Sequence, residues 1–83
     1  MTANELPQQW QDVIVRLGDG QLLTETMSEW AKFEDGTQVF VDDLSMMAEK
    51  GIVDYKRSKR DVYEFEFYLT DEGEALRSEL VTV

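Results

Sequence analysis

Val39-Phe-Val-Asp-Asp-Leu-Ser-Met-Met-Ala-Glu-Lys50 leads into Gly51-Ile-Val53, then Lys56-Arg-Ser-Lys-Arg60, Val62-Tyr-Glu-Phe-Glu-Phe-Tyr-Leu69 and Thr70-Asp-Glu-Gly73. In the first part Phe40, Leu44, Met47 and Ala48 recur at i, i+4, i+7 and i+8, which predicts a helix with one buried face. After Gly51 the period changes to two. Tyr63, Phe65, Phe67 and Leu69 alternate with Glu64, Glu66 and Tyr68, the pattern of a strand with one face in the core. Thr70 is placed to cap a last helix, packed through Ala75, Leu76 and Leu80. The order is helix, hairpin, helix.

Working outward, Leu6-Pro7 opens a first helix, because proline is tolerated where its missing N–H has no partner anyway. Leu6, Trp10, Val13, Ile14 and Leu17 make its apolar stripe, and Gly18-Asp-Gly20 ends it. Gln21-Leu-Leu23 reads as a short strand against the later hairpin. Thr26 and Glu29 form a capping box, with Thr24 as a competing cap. Met27, Trp30 and Ala31 then give a short second helix, which Asp35-Gly36 separates from the third. The expected fold is α+β, a winged helix-turn-helix of three helices, a two-stranded wing hairpin and a C-terminal helix. It fills 1–83 as one domain with its core at about 6–80. The expected core centre is Phe40, Leu44, Met47, Tyr63, Phe65 and Phe67 with Trp10 and Ile14.

Composition narrows the chemistry. Eighty-three residues, 42% of them hydrophobic, suffice for one modest core. With no cysteine and no histidine, there is no thiolate metal site, no cysteine nucleophile and no imidazole base. Glu64 and Glu66 suggest a paired acid and base, but their alternation marks a solvated strand face. Asp42 and Asp43 are adjacent on a helix, so their side chains diverge by about 100° and do not converge on one cation. The residues predict a non-enzyme without cofactor or metal. With no apolar run of spanning length and no leader pattern at the N-terminus, the expectation is a cytoplasmic protein that does not engage a membrane.

The charge is −10 overall, yet residues 56–60 hold four bases and no acid, so the remainder carries −14. Such acidity suits a nucleic-acid mimic, a partner with a basic surface, or adaptation to high intracellular salt. Low lysine with abundant Asp, Glu, Val and Thr favours the last. A basic hairpin tip is also a common way to solvate a turn and blunt a sheet edge.

Ser28-Glu-Trp-Ala31, Leu44 through Glu49-Lys-Gly-Ile-Val53, and Tyr68-Leu-Thr-Asp-Glu-Gly73-Glu-Ala-Leu76 together resemble the winged-helix core of MarR- and PadR-type regulators. The resemblance implies binding of double-stranded DNA, with the third helix in the major groove and the wing on the backbone. Thr37, Gln38, Val41 and Ser45 then become candidate groove contacts, and Lys56, Arg57, Lys59 and Arg60 candidate phosphate contacts. The chain departs from that family in lacking bases at the start of the third helix, in placing Asp42 on its outward face, and in having Asp43 where an apolar residue is usual. It also lacks long dimerisation helices, so a homodimer would use the first helix and the Ala75–Val83 segment. Outward Val39, Val41 and Met46 suit the alternative, a protein-interaction module that meets its partner through the third helix.

Overall fold

In the computed structural model, which describes residues 2–26, 28–59 and 63–81, the centre of the chain is a β-hairpin. Strand β2 (Trp30–Phe33) returns as β3 (Gln38–Phe40). The Gly36 N–H donates to the Phe33 carbonyl at 3.0 Å and the Phe33 N–H to the Thr37 carbonyl at 2.9 Å. Gly36 sits at φ 92°. This is a three-residue turn whose last position needs the left-handed region, which glycine enters without steric cost. The second helix expected from the Thr26/Glu29 capping box is therefore corrected to bend and strand. Asp35-Gly36 turns one strand into the next rather than parting two helices.

Among the described residues, three α-helices and five strands make up the α+β fold. Helix α1 (Gln8–Gly18) precedes β1 (Leu23–Glu25), and α2 (Val41–Glu49) follows β3 directly. Strands β4 (Val53–Arg57) and β5 (Phe65–Leu69) form the second hairpin, and α3 (Asp71–Val81) ends the fold. All pairings are antiparallel, in the order β3-β2-β1-β5-β4. The short first strand does pair with the later hairpin, two residues further along than the sequence suggested. Helix, hairpin and helix follow one another over 41–81 as expected, whereas Val39 and Phe40 belong to β3 and not to the helix.

The register separates the two faces of the sheet. Tyr55, Phe67, Leu23 and Phe33 lie opposite one another in a single row. Leu23, Ala31, Phe33, Val53 and Phe67 are buried against Trp10, Val13 and Ile14 of α1, Leu44 and Met47 of α2, and Leu76 of α3. All three helices thus cover one face. On the other face Lys56, Glu66, Thr24, Lys32 and Gln38 form a polar row across the five strands. Two expected core residues are corrected. Tyr63 is 67% exposed just before β5 begins, and Phe40 is 37% exposed at the sheet edge, where no further strand covers it. Phe65 is only half-buried, and Phe67 is the inward aromatic.

Both α1 and α2 end in the same way. The Gly20 N–H bonds to Leu17 O and Gln21 N–H to Arg16 O; Gly51 N–H bonds to Ala48 O and Ile52 N–H to Met47 O. With Gly20 and Gly51 at φ 89° and 77°, these are two Schellman motifs, each satisfying carbonyls that the helix leaves free. The second one delivers Ile52, fully buried, into the core.

Candidate functional site

The eight candidate contacts fall in different places. Lys56 and Arg57 end β4 and Lys59 follows it; all three are exposed, and Arg60 lies outside the described residues. The Lys56 ammonium stands 5.8 Å from the Tyr68 ring centre and the Arg57 guanidinium 5.9 Å from that of Phe65. Such stacking holds a cation out from the sheet while leaving its N–H groups open. None of the three makes an ion pair with a described residue; the described pairs are Arg16–Asp35 and Arg77–Asp19. Ser58, between them, is buried, with its N–H on the Glu64 carbonyl at 2.8 Å and its hydroxyl on the Glu66 carboxylate at 3.3 Å. That anchor fixes the strand end from which the cations project.

Thr37 and Gln38 stand at the far edge of the sheet, with three strands between them and β4. Thr37 belongs to a network instead. Its N–H donates to the Asp35 carboxylate at 2.9 Å, while the Arg16 guanidinium donates to Thr37 Oγ1 at 3.3 Å and to Asp35 at 3.0 Å. Arg16 also lies over the Phe33 ring, 5.1 Å from its centre. The Thr37 backbone N–H above all, then the Thr37 hydroxyl and Arg16, lower the Asp35 pKa from 3.8 to about 2. This network ties α1 to the β2–β3 turn.

Val41 and Ser45 lie on α2 beside a groove of about 290 Å³ that Tyr55, Phe65 and Phe67 line from the other side. Val41 is half-buried there, and Ser45 is exposed. The exposed surface of α2 also carries Asp42, Met46 and Glu49, and exposed Lys50 follows it. Asp42 and Asp43 occupy its first turn, where carboxylates are favoured by the partial positive charge of the helix start. So α2 brings Val41 and Ser45 near the aromatic side of the β4–β5 hairpin, but not to Thr37 and Gln38.

A second feature escaped the sequence reading. Trp30 and Phe40 are directly opposite on β2 and β3, with ring centres 5.2 Å apart and planes tilted 47°. By strand alternation they share the face of Lys32 and Gln38, and with residues of α1 they line a groove of about 480 Å³ at the β3 edge of the sheet. The signal was present, since Asp-Gly flanked by alternating apolar residues is a strong short-range mark of a hairpin. The capping box beside it drew the reading towards helix.

Among the described residues no group of three or more metal-ligating side chains is placed to hold an ion, and no helix is long and apolar enough to cross a membrane. No protein family, curated protein or solved structure matches the chain.

Proposed function

We propose that the chain is a small DNA-binding regulator of winged-helix type, whose β4–β5 hairpin acts as a wing against the sugar–phosphate backbone. One observation carries this reading. Lys56, Arg57 and Lys59 are exposed at one end of one strand, without ion-pair partners among the described residues, in a chain otherwise strongly acidic. Phosphate contacts position a protein without specifying sequence. The outward Asp42 and Glu49 repel phosphate, which keeps α2 shallow and leaves Ser45 as its main hydrogen-bonding group. Thr37 and Gln38 play no part in this contact. A regulator of this kind acts on paired half-sites, so a second protomer joins on the duplex.

The test is fluorescence anisotropy on a random-sequence duplex across a salt series. Each phosphate contacted contributes about 0.9 to the slope of log affinity against log salt, so the three described cations give roughly 3. Arg57→Glu with Lys59→Glu should abolish most of that slope while leaving thermal stability nearly unchanged. Lys56 is left intact, because it faces Glu66 across the ladder and reversing it would set two carboxylates together. A parent protein that binds no duplex even at low salt would sink the proposal.

The groove between α2 and the hairpin favours a second reading, a protein-interaction module. Tyr55, 55% exposed, stands T-shaped to Phe65 across from Val41, with Met46 exposed on the same helix. Aromatic residues and methionine are enriched at interfaces. Indifference to DNA, together with a partner whose binding Tyr55→Ser and Met46→Ser weaken, would establish it.

A further inference from the structure

The groove between α1 and the β2–β3 hairpin is remote from β4, and its chemistry differs from that of the basic hairpin. We infer that it is a binding site for a small organic cation with a compact ammonium head. Three observations converge on that class of ligand. Its volume, about 480 Å³, falls within the range of small-molecule sites. Its floor and wall are apolar, with Val13 and Phe33 from the core and the tilted Trp30–Phe40 pair, and Trp30 remains 44% exposed. Aromatic faces are electron-rich and attract ammonium groups, quaternary ones above all. Its rim carries the carboxylates of Asp12 and Asp43.

Arg16 also lines the groove, but its charge is matched by Asp35 at 3.0 Å and its face is stacked on Phe33. The lining groups with Asp35 therefore keep a net −2, from three carboxylates and one guanidinium. An anionic ligand would meet Asp12 and Asp43 without a free cation to receive it. A neutral apolar ligand would use the aromatic wall and leave the carboxylates idle. A cation uses both. Asp43 is half-buried in the first turn of α2, so its carboxylate is held at the rim by the helix rather than by a mobile loop.

Choline and its uncharged carbon isostere, 3,3-dimethylbutan-1-ol, separate charge from shape. The indole N–H resonance of Trp30, distinct from that of buried Trp10, is followed while each is titrated into the full chain at low ionic strength. Choline should give a saturable shift, and the isostere should bind at least about tenfold more weakly, in keeping with a cation–π contact worth about 1–2 kcal/mol. Asp12→Asn with Asp43→Asn should weaken choline about tenfold while leaving the isostere unchanged. Trp30→Leu, read by calorimetry and by the Gln38 and Thr37 amide shifts, should weaken both probes and choline the more, with an unchanged amide spectrum elsewhere reporting intact folding. Equal binding of the two probes, no saturable shift with choline, or full choline binding by the double asparagine variant would each overturn the inference.

Discussion

The α-carbon of Gly73 lies so close against the Ile52 carbonyl that a β-carbon there would overlap the oxygen. Gly73 is buried in the first turn of α3, where alanine is ordinarily favoured over glycine by roughly 0.5–1 kcal/mol. Here the obstacle is backbone, held in place by the Thr70 N–H on the same carbonyl at 3.1 Å. Gly73→Ala should therefore destabilise by about 1–3 kcal/mol in denaturant unfolding. Gly18→Ala is the contrasting case, because a methyl there meets only the Arg77 side chain. It should be close to neutral once Arg77 swings aside and gives up its exposed contact with Asp19. Equal losses in the two variants would refute this account.

The helix start beside that contact depends on Thr70. Its Oγ1 accepts the Gly73 N–H at 3.1 Å, while the hydroxyl proton points towards the Gly51 and Ile52 carbonyls. One side chain thus caps α3 and bonds the exit of α2. Thr70→Val should cost about 1–2 kcal/mol, and Thr70→Ser only a fraction of that, since serine keeps the oxygen. A Thr70→Ser loss as large as that of Thr70→Val would assign the effect to the methyl group instead.

Across β5 the aromatic residues should separate by depth. Phe67, 9% exposed between Leu23 and Tyr55, should cost about 3–5 kcal/mol when replaced by alanine. Phe65 is half-buried at the strand end and should cost noticeably less. Tyr63→Ala, at a position 67% exposed, should cost the least of the three. Chemical unfolding of the three variants checks the order; a Tyr63 loss matching that of Phe67 would contradict it.

Asp35 gives the chain a response to acid. Its carboxyl is lowered from 3.8 to about 2, chiefly by the Thr37 N–H. A carboxylate stabilised in the folded state binds its proton later than in the unfolded chain, so its contribution is full above pH 4 and fades as pH falls towards 2. Carboxyl resonances followed by NMR should place its midpoint near 2. Asp35→Asn should flatten the fall in melting temperature within that window, and an unchanged fall would show that other groups carry it.

The C-terminal half was legible because its local signals agree with its tertiary use. Period two in 65–69, glycine at the α2 exit and threonine before α3 all serve the positions they occupy. Even Gly73, part of the Tyr68-to-Leu76 stretch that carries the resemblance, has a physical reason in the Ile52 carbonyl. The 26–40 stretch was not legible, because Thr26 and Glu29 meet the local rule for a helix start while the β1 edge offers Trp30–Phe33 a ladder. Tertiary pairing won over the cap. The candidate contacts suffered in proportion, since Thr37 and Gln38 moved with that stretch to the opposite edge from the cations.

β1 lies at the middle of the sheet, with β2 on one side and β5 on the other. Its first neighbour follows within a few residues, whereas Leu23 meets Phe67 only after about half the chain has intervened. A ribosome delivers the N-terminal portion first. During synthesis the Leu23–Glu25 backbone therefore waits at the edge of an early three-stranded ribbon, one side unpaired, until Phe65–Leu69 emerges. The nascent chain completes its sheet in the centre and not at the rim. A message truncated ahead of Phe65 would release a product with that template still open, prone to pair with other copies of itself.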